Sequence, residues 1–254
     1  AALQYAGQRL GLVGLVSLIG AVALLVPTVP RLLPPGTLRA RRGLPTVVAM
    51  RGLLAGTFFG AETFVPLMLV EQRGLATALA GLTLTGGALG WAGGSWWQGR
   101  PGLVTARWRL VRAGAFAVAA GIGAVGAVLA PAVPVPLAAV AWTIAGAGMG
   151  LAVASLSVLL FELSAPAEQG ANASALQLSD GLGSVVFIAA AGAIYAGLDG
   201  SGASGRPFAV ILAVMAVLTV GAALLARRLA PASPGASAPP VAPDPRSTTS
   251  SLAA

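Results

Sequence analysis

Long apolar runs separated by short polar gaps make up almost the whole chain. A bilayer core ~30 Å thick is crossed by about 20 helical residues rising ~1.5 Å each. Stretches of about that length run from Leu10 to Pro27, Leu44 to Val70, Leu75 to Trp97, Leu110 to Ala130, Pro136 to Phe161, Ala173 to Leu198 and Pro207 to Ala226. The first span can begin as early as Ala2, with Gln4, Gln8 and Arg9 in its outer turns. The many Gly and Ala residues do not argue against helix. In lipid, small side chains let helices pack closely, and every backbone group must be satisfied within its own segment. The predicted fold is an all-α integral membrane bundle of about seven transmembrane helices. Residues 1–27 form the first, 28–44 a basic loop and 45–226 a six-helix bundle. Residues 227–254, rich in Pro, Ala and Ser from Pro231 onward, form a disordered tail.

A pattern recurs within the six-helix part. The third span contains Leu82-Thr83-Leu84-Thr85-Gly86-Gly87 and the sixth contains Leu176-Gln177-Leu178-Ser179-Asp180-Gly181, 94 residues later. Both read Leu-x-Leu-hydroxyl-x-Gly. The same shift carries the second span onto the fifth and the fourth onto the seventh. Two copies of a three-helix unit are expected, and because three is odd they cross the membrane in opposite senses. Inverted repeats of this kind build many secondary transporters.

Composition supports lipid as the solvent: 57% of residues are hydrophobic, 9% are charged and the mean hydropathy is +0.88. A water-facing domain carries about a quarter charged residues. The net charge of +8 comes from 15 basic residues, all Arg. They sit in the gaps between apolar runs, which orients a membrane protein and offers no continuous stripe for a nucleic acid. Arg31, Arg39, Arg41 and Arg42, then Arg100, Arg107, Arg109 and Arg112, then Arg227, Arg228 and Arg246 fall on one side. Arg9, Arg73 and Arg206 fall on the other. The positive-inside rule makes the chain a multi-pass plasma-membrane protein with its C-terminus in the cytoplasm. The Glu162 to Gly170 loop on that same side carries acid and no Arg.

With no Cys and no His, disulfides, thiol catalysis, the usual zinc sites and histidine relays are excluded. No catalytic constellation and no P-loop occurs, so no enzyme activity, cofactor or metal is expected. Nothing at the N-terminus reads as a signal peptide. The start at Ala1, without Met and already apolar, suggests a piece of something longer.

An ionised side chain at mid-bilayer costs ~2.5–3.5 kcal/mol, so it points to function. Glu62 lies well inside the second span and Pro66 follows four residues later. Pro lacks an N–H, so the Glu62 carbonyl loses its helical partner and the helix can kink there. A buried acid beside a kink suits the binding of a proton or a cationic substrate, against an alternative in which Glu62 snorkels to the outer interface. Arg51 shares its face but stands ~16 Å away along the axis, too far for a salt bridge to Glu62. It is weighed as an interface anchor against a substrate ligand. In the sixth span, Ser174, Gln177, Asp180 and Ser184 make one polar stripe. That stripe faces a water-filled path or else holds the bundle together through interhelical hydrogen bonds. Trp96, Trp97 and Trp108 fit an interfacial aromatic belt. Trp142 lies deeper, as core or as a stacking platform for an aromatic substrate. Gly146 and Gly150 form a GxxxG, which marks a close helix contact. Asn172-Ala173-Ser174 matches a glycosylation sequon but falls on the cytoplasmic side.

The segment Arg51-Gly52-Leu53-Leu54-Ala55-Gly56-Thr57-Phe58-Phe59-Gly60-Ala61-Glu62, followed by Pro66-Leu67, resembles the start of the second half of major facilitator superfamily transporters. The likeness is to the multidrug-efflux type of actinobacteria. Gly86 to Trp91 and Gly94 to Arg100 extend it, and Gln169 to Gln177 looks like the start of the family's eleventh helix. The resemblance implies twelve helices in two halves, of which this chain holds the sixth to the twelfth. The missing N-terminal half of the transporter then becomes a partner. It also implies proton-coupled efflux of small molecules or drugs, with Glu62 binding a proton or cation and Asp180 assisting. The family's loop motif is degenerate near Gly94 to Gly102, where Trp and Gln stand in place of an acid. The competing expectations are a truncated remnant, a non-transporting membrane scaffold and a seven-helix receptor. A retinal pump would need a Schiff-base Lys, and the chain has none.

Overall fold

The computed structural model describes residues 28–100, 107–198 and 205–230. The first span, Pro101 and Gly102 of the degenerate loop motif, and the tail from residue 231 lie outside the described residues. Within them the chain is all-helical: α1 (Leu44–Glu62), α2 (Val65–Arg73), α3 (Thr77–Gln98), α4 (Arg107–Ala127), α5 (Leu137–Leu163), α6 (Gln169–Leu198) and α7 (Arg206–Leu225). Short 3-10 turns cover Thr37–Arg39, Pro166–Glu168 and Ala226–Leu229. The last of these continues α7 into the segment expected to begin the tail.

Five helical stretches are long and apolar enough to cross a membrane: Leu44–Arg73, Arg107–Ala127, Leu137–Leu163, Pro166–Leu198 and Arg206–Leu229. Among the expected spans that are described, only α3 is missing from that group. At 22 residues it is long enough, but its Gly, Thr and Trp residues lower its hydropathy. The second span is two helices. Pro66 occupies the first turn of α2, and α1 stops at Glu62 with Thr63 and Phe64 forming the turn between them. The missing N–H at position 66 thus breaks the ladder where the proline rule places it. Gly74, at φ 64°, ends α2 in the left-handed conformation that glycine adopts without strain.

α5 lies between α3 and α4, α1 packs on α6 and α7, and α4 packs on α7. α1 and α5 also touch each other. Phe58, Leu54, Trp142, Met149, Ile122 and Phe208 are among the side chains closed off from solvent in the shared core. Glycine sets the closeness of the two tightest pairings. A Cβ on Gly146 would run into the backbone of Gly87, joining α5 to α3, and one on Gly183 would run into the backbone of Gly52, joining α6 to α1. The GxxxG at Gly146 and Gly150 is therefore a helix contact, as expected, and Gly52 and Gly56 form a second. By contrast, α3 buries only Ala80, Thr83, Gly87, Gly90 and Gly94, and α6 buries little more than its α1-facing edge.

Candidate functional site

Three helices bring their polar groups together, nearer the end of the bundle that carries Arg107 and Glu162. Arg51 comes from the first half of α1, Asp180 from α6 and Ser157 from α5. The Arg51 Nε donates to Asp180 Oδ1 at 2.8 Å, and Nη1 donates to Ser157 Oγ at 3.3 Å and the Val153 carbonyl at 3.4 Å. The Arg51 side chain is 11% exposed and that of Asp180 29%, so the pair is largely but not wholly withdrawn from solvent. Ser157 also donates back to the Val153 carbonyl. The guanidinium thus reaches a carboxylate, a hydroxyl and a carbonyl on two neighbouring helices. It neutralises a charge on α6 and fixes α1 against α5. One helical position earlier, Ser179 donates to the Val48 carbonyl at 2.8 Å and closes the α1–α6 seam.

The remaining members of the polar stripe on α6 do not join this cluster. Ser174 and Gln177 are exposed, while Ser174 and Ser184 donate to carbonyls of their own helix, Gly170 and Asp180. Gln177 is therefore not brought to the pair. Arg51 is an ion-pair partner rather than an isolated anchor. Asn172 of the sequon is buried and donates to Ser164 Oγ, which leaves it unavailable to a glycan.

Glu62 occupies a second place, one end of α1 away. It is partly buried at the C-terminus of α1, and its side chain approaches the indole of Trp142. The approach does not reach standard hydrogen-bond geometry, so the buried Trp142 Nε1 has no hydrogen-bond partner. Below Glu62 lies an aromatic cluster. Phe58 stacks on Trp142 with centroids 4.9 Å apart and meets Trp91 edge-on at 5.7 Å, and Phe59 lies over Trp91 at 6.2 Å. Phe58 precedes Glu62 by one helical turn, which puts the carboxylate on the rim of these rings. Phe58 and Trp142 are closed off from solvent, so the half-buried carboxylate at the edge of this cluster, not the ring faces, is the group a cation can reach.

Polar contacts also hold the far end of α2. Arg73 Nη1 donates to the carbonyls of Val128 and Ala130, and Nη2 to that of Val133, fastening α2 to the α4–α5 turn. Tyr195 of α6 donates to the Glu71 carboxylate. At the opposite end of the bundle Arg107 pairs with Glu162 and bonds Gln98, and Arg100 lies over the Trp96 ring. Sequence reasoning singled out Arg51, Asp180 and Glu62 but paired none of them. The available signal was charge balance, since an acid and a base inside apolar helices are expected to find each other. The Arg73 clamp carries no such signal, because its acceptors are backbone carbonyls. No group of His, Cys, Asp and Glu that could hold a metal occurs among the described residues.

No protein-family model matches the chain, and no curated protein sequence matches it.

Proposed function

We propose that this chain is the six-helix half of a proton-coupled secondary transporter that exports small cationic or aromatic molecules across the plasma membrane. The observation that carries the proposal is the Arg51–Asp180 ion pair, set between membrane-length helices and shared with Ser157. A charge pair inside such a bundle costs desolvation that an apolar pair would not, which points to a function, and the pair can be closed or open. With the pair closed, Arg51 holds α1 to α6; with it open, the seam between the two helices loosens. Whatever competes for either partner then biases one arrangement of the bundle over another, which is what coupling requires.

Substrate selection falls to Glu62. It stands at the break between α1 and α2, on the rim of Phe58, Trp142 and Trp91. A proton and a cation compete for its carboxylate, so inward proton flow exchanges with outward substrate flow. The helix pairing supports a two-unit arrangement. A shift of 94 residues exchanges α1 with α5 and α3 with α6, and it turns the α3–α5 contact into the α6–α1 contact. Both α3 and α6 leave most of their surface uncovered, which suits a second six-helix body packed against them. That body is the missing N-terminal half in the twelve-helix arrangement.

The test is counterflow in proteoliposomes, using the chain together with its N-terminal half and a fluorescent monovalent cationic dye. An imposed pH gradient should drive dye movement, and Glu62→Gln should abolish it while leaving the protein folded. Dye movement unchanged by Glu62→Gln, or insensitive to the gradient, would overturn the proposal. A non-transporting scaffold would show neither response.

A further inference from the structure

An apolar cavity of about 610 Å³ opens at the basic end of the bundle; Gly52 and Ser179, the chain neighbours of the ion pair, line it, but Arg51, Asp180 and Glu62 do not. Leu33, Ala49, Leu53, Leu182, Val186 and Phe187 are among the apolar residues of its wall. Its lining on α6 extends from Ser179 to Phe187, ~12 Å at helical rise. That is close to the ~15 Å depth of one leaflet. A second cavity of about 210 Å³ adjoins it, with Pro30, Leu33, Thr37 and Leu38 shared between the two, and this one is walled by Arg39 and Arg41. The two cavities therefore form one groove, apolar along its length and cationic at its mouth.

The mouth is a built surface. Gly36, at φ 90°, turns the chain so that the Arg41 stem lies directly over it. Thr37 bonds the Pro34 carbonyl, and Thr46 bonds the carbonyls of Ala40 and Arg41. From the end of α7, Arg228 donates to the carbonyls of Arg39 and Ala40. These bonds fix the backbone and leave the Arg39 and Arg41 side chains exposed. Neither has an acidic partner among the described residues, where the only ion pairs are Arg51–Asp180 and Arg107–Glu162.

We infer that this groove binds one anionic phospholipid of the surrounding bilayer, with an acyl chain along α6 and the phosphate at Arg39 and Arg41. Charge complementarity chooses the occupant. An apolar peptide helix would fill the deep part and leave the two guanidinium groups without a counter-charge, whereas a phospholipid supplies chain and anion in one molecule. Clustered Arg beside membrane helices draws anionic lipid in this way. The inference stands independently of transport, because neither Glu62 nor Asp180 lines the groove.

Native mass spectrometry of the full chain tests it, with phosphatidylglycerol and phosphatidylcholine of identical acyl chains titrated in turn. The wild type should retain one phosphatidylglycerol about tenfold or more tightly than phosphatidylcholine. Arg39→Gln with Arg41→Gln, both at exposed positions, should erase that preference, and Arg109→Gln at the same end should leave it intact. Val186→Trp, which fills the groove, should reduce retention of both lipids, with circular dichroism confirming that its helices persist. Equal retention of the two lipids by the wild type, or a preference that survives the Arg39 and Arg41 substitutions, would overturn the inference. So would a wild type that retains neither lipid, as expected if a protein segment occupies the groove.

Discussion

Arg51 and Asp180 lie 129 residues apart in the chain and 2.8 Å apart in the bundle. Their contact is a charge-assisted hydrogen bond between α1 and α6, at a level where both helices are otherwise apolar or small. Arg51→Met leaves Asp180 without its counter-charge, and Asp180→Leu leaves Arg51 without its own. Each single change should destabilise the bundle by roughly 1–3 kcal/mol, between the values for exposed and buried pairs. The double variant should recover most of that loss, since it removes both charges together. Chemical unfolding in mixed micelles measures the cycle. If the pair works in transport, the double variant should remain inactive although its stability is restored.

Replacing Gly146 or Gly52 should be far more damaging than replacing an exposed glycine. A side chain at Gly146 meets the backbone of Gly87, and one at Gly52 meets Ser179. Backbone cannot swing aside as a side chain can, so the helices must separate. Gly146→Leu and Gly52→Leu should each cost about 3 kcal/mol or more, at or beyond the upper end for overpacking. Gly93→Leu, where nothing lies within 4 Å, should be close to neutral. Thermal melting of the three purified variants decides the matter.

Pro66→Ala restores an N–H that can donate to the Glu62 carbonyl. The break at Thr63 and Phe64 should then tend to close into continuous helix. Amide hydrogen exchange around residues 62–66 should slow, with overall stability changing little, because the restored hydrogen bond offsets the unfolded-state restriction that Pro66 supplies. Dye counterflow should fall if the break serves as a hinge.

Arg73→Gln removes a cation that fastens α2 to three carbonyls of the α4–α5 turn. Hydrogen bonds from charged donors contribute ~1.5–3 kcal/mol, and the loss should be local. A cysteine placed at the exposed Ala132, in this chain without native Cys, should become more reactive toward a polar maleimide. The melting midpoint of the bundle should shift less than it does for Gly146→Leu.

The apolar runs and the proline rule made most of the architecture legible. The segments expected from Leu110, Pro136 and Pro207 become α4, α5 and α7 with ends displaced by only a few residues, because length and hydropathy decide where a chain can lie in lipid. Pro66 announced the break after Glu62 for a purely local reason, its missing donor. The site was legible only as separate residues. Glu62, Asp180 and Arg51 stand out as charges where none are expected. Which of them meet depends on the rotation of α1 against α6, and that is set by Gly52, Ser179 and Gly183. Helical periodicity placed Gln177 on one stripe with Asp180, yet the packing of α6 on α1 turns Ser179 inward and leaves Gln177 outside. The aromatic cluster under Glu62 was hidden for the same reason, since Trp91 and Trp142 come from different helices.

The bonds from Arg228 to the carbonyls of Arg39 and Ala40 bring the start and finish of the six-helix unit to a single point. A body whose two ends meet can be cut and rejoined elsewhere, or spliced to another of its kind, without rethreading any helix. Fusing one such unit to the next asks only for a connector that starts and finishes on the same face of the membrane.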